Sequence, residues 1–242
     1  MKRVLIAATV LWAAGATAKP PQEVHTGTNT SRETSQPMWT EGKANSGQMD
    51  VQPNDEALAV GRSMARCAVS QHSTKVKTAL DAPDAAEFLK AFRKIKESLE
   101  YCMAYGGRNL ADVSEFEFGP SSLAGLLSEA MLARTGVPTL APAKYEANAP
   151  KLDAMAGSPG SLVQLRLGEC LAVTQPSAVA AFVAAEPSSQ QELAAFQALA
   201  PSIPTCLDKN VTLKATRSSL RLALAFALYR RTLQPVLAGA AN

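Results

Sequence analysis

Glu87-Phe88-Leu89-Lys90-Ala91-Phe92-Arg93-Lys94-Ile95-Lys96-Glu97-Ser98-Leu99-Glu100-Tyr101-Cys102 carries the clearest pattern in the chain. Phe88, Leu89, Phe92, Ile95, Leu99 and Cys102 recur at steps of three and four, which places them on one face of a helix. Leu193, Phe196, Leu199, Ile203 and Cys206 repeat the stripe, with Leu89 matching Leu193 and Cys102 matching Cys206 at an offset of 104. Each stripe ends in a cysteine on its buried side, and Pro201 and Pro204 are expected to distort the end of the second copy.

The matching extends in both directions. Upstream, Val60, Cys67, Val76 and Leu80 correspond to Val163, Cys170, Val179 and Val183 at an offset of 103. Downstream, Ser121-Ser122-Leu123, Ala130 and Arg134 correspond to Ser218-Ser219-Leu220, Ala227 and Arg231. The expected architecture is all-α, two pseudo-repeated short-helix bundles packed face to face, with almost no strand signal anywhere. Helical unit 1 spans 55–135, a linker rich in proline and glycine 136–160, and helical unit 2 161–236.

Within each unit the punctuation is similar. Leu58, Val60, Met64, Cys67 and Ala68 line a first helix, which the polar run Ser70–Ser73 breaks or bends; Gln175-Pro176 stands at the same place in unit 2. Short helices follow, at Thr74–Leu80 and Ser177–Ala185. Pro83-Asp84 with Glu87, and Pro187-Ser188-Ser189 with Gln191 and Glu192, read as N-caps with a capping box. Leu220–Tyr229 is apolar nearly all round, the signature of a central core helix, with Arg217, Arg221, Arg230 and Arg231 around it.

The first residues read as a signal peptide, 1–18: basic Lys2-Arg3, an apolar run Val4–Ala14, and small residues at Ala16-Thr17-Ala18, with cleavage expected after Ala18. The run is too short for a comfortable transmembrane anchor. Export, to the periplasm or beyond, is therefore the expectation. Residues 19–54 are polar and without periodicity, the composition of a disordered tail. Loss of Lys2 and Arg3 from the 24 basic residues leaves 22 against 21 acidic ones, so net charge makes no case for nucleic acid as a partner. In an oxidising compartment the four cysteines read as structural disulfides, and the repeat selects Cys67–Cys102 and Cys170–Cys206 among three connectivities.

Little in the chain points to chemistry. No CxxC, HExxH, EF-hand, Walker or haem motif occurs, so neither a metal nor a cofactor is expected. His25 lies in the polar tail, and His72 sits at a helix break without a nucleophile or carboxylate at useful spacing. Two features rise above background. Unit 1 carries seven extra residues between its second cysteine and its last helix, which makes Tyr105, Arg108, Phe116 and Phe118 a candidate binding loop; the plain alternative is that the aromatics cover the core. Lys75, Lys77, Lys90, Arg93, Lys94 and Lys96 form a candidate basic patch in unit 1 alone, with a solvated helix face as the plain alternative. The sequons Asn29-Thr30-Ser31 and Asn210-Val211-Thr212 carry no weight in a chain of bacterial character.

Gly168-Glu169-Cys170-Leu171, Cys206-Leu207 and Leu220-Arg221 through Ala227-Leu228-Tyr229-Arg230 resemble uncharacterised exported helical proteins of alphaproteobacteria with tandem cysteine-containing units. The likeness covers unit 2 well and unit 1 loosely, where Arg66-Cys67-Ala68 and Tyr101-Cys102-Met103 stand. It implies a compartment and a fold style and no activity. The leading expectation is an exported, non-enzymatic interaction or binding protein that works through the groove between units and the Tyr105–Phe118 loop. The alternative is a carrier of an apolar small molecule or lipid in a cavity lined by Leu220–Tyr229 and the Phe88/Phe92 stripe. An enzyme with a dispersed site comes third.

Overall fold

The computed structural model describes residues 55–95, 118–137, 139–146, 152–209, 211, 213 and 215–233. These form seven α-helices, with no strand among the described residues. In chain order they are α1 (Asp55–Leu80), α2 (Ala85–Arg93), α3 (Pro120–Thr135), α4 (Pro159–Thr174), α5 (Pro176–Ala184), α6 (Gln190–Leu199) and α7 (Arg217–Leu233). The class is all-α, as the periodicity implies. The signal peptide, the polar tail, Tyr105, Arg108, Phe116, Lys96 and Cys102 lie outside the described residues.

Local chemistry sets most of the boundaries. Asp84 caps α2 by accepting from the Glu87 amide at 2.9 Å, and Ser189 caps α6 by accepting from the Glu192 amide at 3.1 Å. The capping box that is reciprocal forms elsewhere, between Ser158 and Ser161 at the start of α4. Pro120, Pro159 and Pro176 each occupy a first helical turn, where a missing N–H costs nothing. Gly136 ends α3 at φ 74°, a conformation that a residue with a Cβ rarely adopts. Pro201 and Pro204 break the end of the second stripe into 3-10 turns, Ala200–Ser202 and Pro204–Cys206.

The core is built on α3 and α7. They cross in close contact, α1 packs on α3, and α4 packs on α7. Every residue of α7 from Leu220 to Tyr229 is buried. Gly125 makes the crossing possible: a Cβ there would meet the Leu222 carbonyl oxygen at 2.7 Å. Gly168 on α4 does the same for α7, since its Cβ would lie 2.8 Å from the Ala223 carbonyl oxygen. The expected linker is not wholly a spacer: Leu152 and Met155 are buried in the core, and Asp153 pairs with Arg166 at 2.5 Å.

Positions matched in the sequence have matching geometry at two points. His72 bends α1 at φ −134°, ψ 38°, and Gln175, 103 positions on, separates α4 from α5 at φ −133°, ψ 49°. Such breaks leave the carbonyls before them without intrahelical donors. Arg134 supplies donors to the carbonyls of Val69 (2.6 Å) and Ser70 (3.1 Å). Arg231 serves Ala172 and Val173, the same two positions of the second half, and also reaches the Ala141 carbonyl.

Cys170 and Cys206 form a disulfide with a Cα–Cα distance of 5.6 Å, which ties α4 to the Pro204–Cys206 turn. Cys67 is disulfide-bonded, and Cys102, the partner expected for it, lies outside the described residues. The second stripe is less buried than its pattern implies. Leu199 is buried, whereas Leu193, Phe196, Ile203 and Cys206 are only half-buried, because the helix lies over α5 at the edge of the core. No single described helix is long and apolar enough to cross a membrane; α4 and α5 would qualify only together, and they are bent by 115°.

Candidate functional site

A groove of about 590 Å³ opens between the two halves of the chain. Its walls are α1, with Arg62 and Arg66, α3 from Leu126 to Ala133 with Gly136 and Val137 after its end, and α5 with the following turn Ala185-Glu186-Pro187; Arg221 of α7 reaches it from below. Small residues keep it open. Ala130 and Ala133 face it from α3, and Ala180, Ala181 and Ala184 from α5. The volume falls in the range of roughly 300–1,000 Å³ usual for small-molecule sites, and such sites join apolar walls to a few placed polar groups.

The polar groups form one network. Arg221 is 2% exposed although it sits in the most apolar helix of the chain. Its Nε donates to Glu129 Oε1 at 3.0 Å, and its Nη1 to Glu192 Oε1 at 3.2 Å and the Phe182 carbonyl at 2.9 Å. Its Nη2 donates to the carbonyls of Val183 (2.6 Å) and Ala185 (2.7 Å). All five guanidinium donors are thereby satisfied, and the last carbonyls of α5 gain partners that the helix cannot supply. The guanidinium also lies 5.8 Å from the centre of the Phe182 ring. Glu192, 3% exposed, receives Arg217 at 3.0 Å and the Ser188 amide at 2.9 Å as well.

Arg62 differs from Arg221. Its side chain is nine-tenths buried, with 10% exposure, and its Nε reaches both oxygens of Glu129 at 3.3 Å. Its Nη2 is buried and has no hydrogen-bond partner. Glu129 is shared between Arg62 and Arg221, so one carboxylate answers two guanidinium groups.

The residues singled out from the sequence are not in this groove. Phe118, the member of the candidate loop that is described, is half-buried and stacks beside Gly61, Leu123 and Leu126. It covers the core there, as the plain alternative has it. Lys75, Lys77, Lys90, Arg93 and Lys94 are exposed on the second half of α1, on α2 and at its C-cap, and Lys90 pairs with Glu87 at 3.2 Å. His72 is half-buried at the bend of α1. Among the described residues, Leu220–Tyr229, Phe88 and Phe92 are all buried in the core. The space that Phe92 lines with α1, α3 and Phe118 is about 10 Å³, no more than about one water needs.

Arg62, Glu129, Glu192 and Arg221 were not singled out as a site. Arg221 reads as a flank of the core helix and Glu192 as a capping residue, and Glu192 does accept from the neighbouring amide besides joining the network. A signal existed in the matched positions. At the offsets set by the flanking matches, Arg62, Glu129, Glu192 and Arg221 correspond to Leu165, Phe226, Phe88 and Ala124, all buried and all apolar. Among the described residues no group of three or more His, Cys, Asp or Glu side chains is placed to hold a metal ion. Comparison with family models, curated proteins and solved structures finds no match to the chain.

Proposed function

We propose that the protein is an exported, non-enzymatic helical binding protein, and that the groove between α1, α3, α5 and α7 is its ligand site. The single observation behind this is the charged floor of a roomy groove at positions whose counterparts in the other half are apolar. Buried ion pairs seldom stabilise a fold better than well-packed apolar residues do. The matched set Leu165, Phe226, Phe88 and Ala124 fills its own half without them, so a charged set at the groove calls for a reason beyond folding. Of the two binding readings, a small-molecule carrier fits the groove's volume better than a flat protein-docking surface. The chain's matched halves are two copies of one helical unit, a reading that the shared bends at His72 and Gln175 support.

Native mass spectrometry of the protein recovered from its own export compartment tests this. The expected result is a bound small molecule that is lost when Ala181, exposed on the groove wall, is replaced by Trp. A bare chain, or a bound mass indifferent to Ala181→Trp, would overturn the groove reading. Saturable turnover by the purified chain that disappears on substituting Glu129 would overturn the non-enzymatic part.

A further inference from the structure

We infer that the groove's ligand is an aliphatic monocarboxylate, its carboxylate held by Arg62 and its tail laid between α3 and α5. This rests on the groove being a ligand site, as proposed above, and adds the chemical class.

The charge of the network sets the head group. Arg62, Arg217 and Arg221 face Glu129 and Glu192, three cations against two anions, while the rim residues Arg66 and Glu186 offset each other. One positive charge is left over, and Arg62 is where it is least compensated. Arg221 has every donor engaged, whereas Arg62 engages Glu129 through Nε alone and holds Nη2 buried without a partner. A buried cation with an unmatched donor is costly; a carboxylate in the groove supplies the missing charge, and the missing acceptor once the guanidinium turns Nη2, sealed from solvent here, toward it. The guanidinium fork suits a carboxylate better than a hydroxyl or an amine, since its two N–H groups meet two oxygens and an ammonium head would be repelled.

The walls set the tail. From Glu129, beside Arg62, α3 runs about 9 Å to its end at Thr135, and Gly136 and Val137 carry the groove wall on beyond it. An extended chain advances about 1.2 Å per bond, so roughly seven or eight bonds span the helical part of that wall and a medium-length chain reaches past it along Gly136 and Val137. Opposite it Ala180, Ala181 and Ala184 offer nothing longer than a methyl group, leaving a slot for an unbranched chain.

Isothermal titration of the full mature chain with decanoate, 1-decanol and decylamine tests the inference. Decanoate is expected to bind saturably at one site and more tightly than the other two. Arg62→Met leaves Glu129 its pair with Arg221 and should weaken decanoate by at least roughly tenfold. Ala133→Trp, at an exposed groove position that leaves Arg62 in place, should abolish binding, with an unchanged circular dichroism spectrum showing both variants folded. Decanol binding as tightly as decanoate, or decanoate binding indifferent to Arg62→Met, overturns the carboxylate assignment and leaves the groove a site for neutral apolar ligands. Failure of all three probes to bind overturns it too, and only a bare chain from the native compartment would extend that failure to the groove reading itself.

Discussion

Arg221 and Glu192 stand 3.2 Å apart, 2% and 3% exposed, and join the central helix α7 to the first turn of α6. Removing either partner strands a charge in the interior. Glu192→Ala is expected to cost about 3–5 kcal/mol in urea denaturation, the usual result of breaking a buried pair. The double variant Glu192→Ala with Arg221→Met should cost less than the two single changes added, with a coupling of about 0.5–3 kcal/mol. Strict additivity would show that the two residues act independently.

At Gly125, α3 and α7 approach closely, and a methyl group has no room there. Its Cβ would lie 2.6 Å from Leu222 Cβ and 2.7 Å from the Leu222 carbonyl oxygen, and backbone cannot step aside as a side chain can. Gly125→Ala should lower stability by about 1–3 kcal/mol, or more if the crossing cannot relax. Gly119→Ala, with nothing within 4 Å of the new methyl, is the steric control; Gly119 is the N-cap of α3, so it should cost no more than roughly the 0.5–1 kcal/mol of a weakened cap.

Tyr229 gives the fold an alkaline limit. Burial, and Asp81 after it, push its phenol from 10.0 up to about 12, with Arg230 pulling the other way. The folded chain therefore holds this proton more tightly than the unfolded chain does. Its contribution to stability is complete below pH 10 and is lost as pH rises from 10 toward 12. Tyr229→Phe should flatten the fall of stability with pH across that window relative to wild type, measured by denaturant titration at a series of pH values. An unchanged slope would remove Tyr229 from the account.

Reduction should loosen the second half of the chain. The Cys170–Cys206 bridge closes a loop of 36 residues, for which chain entropy predicts about 3–4 kcal/mol. A Cys170→Ser, Cys206→Ser double variant is expected to fold, because α4 and α7 keep their packed contact, and to lose about that much stability. Hydrogen exchange should then rise first around the two 3-10 turns from Ala200 to Cys206, which the bridge alone ties to α4 by a covalent bond. Uniform acceleration across all helices would point instead to a global role for the bridge.

The helices were legible because their causes are local. Steps of three and four between apolar residues, a capping serine or aspartate, and a proline in the first turn act within a few positions of themselves. The bend at Ser70–Ser73 and the break at Gln175-Pro176 were legible for the same reason. The burial of the second stripe was misjudged because periodicity says which face turns inward and not how much lies above it. Half-buried Phe196 and Ile203 keep the stripe's phase while sitting at the edge of the core.

The sequence by itself determined the all-α class, the positions of most helices, the Cys170–Cys206 pairing and the central place of Leu220–Tyr229. Each follows from patterns along the chain that one helix or one pair of matched segments contains. Only the tertiary structure decided where a ligand has room. The groove depends on α1, α3, α5 and α7 meeting at angles that no single segment encodes, and its network joins Arg62, Glu129, Glu192 and Arg221 across as many as 159 positions. A charged residue in an apolar helix reads the same along the chain whether it points to water or is buried with five acceptors. Desolvation and pairing separate the two cases, and both are properties of the packed chain.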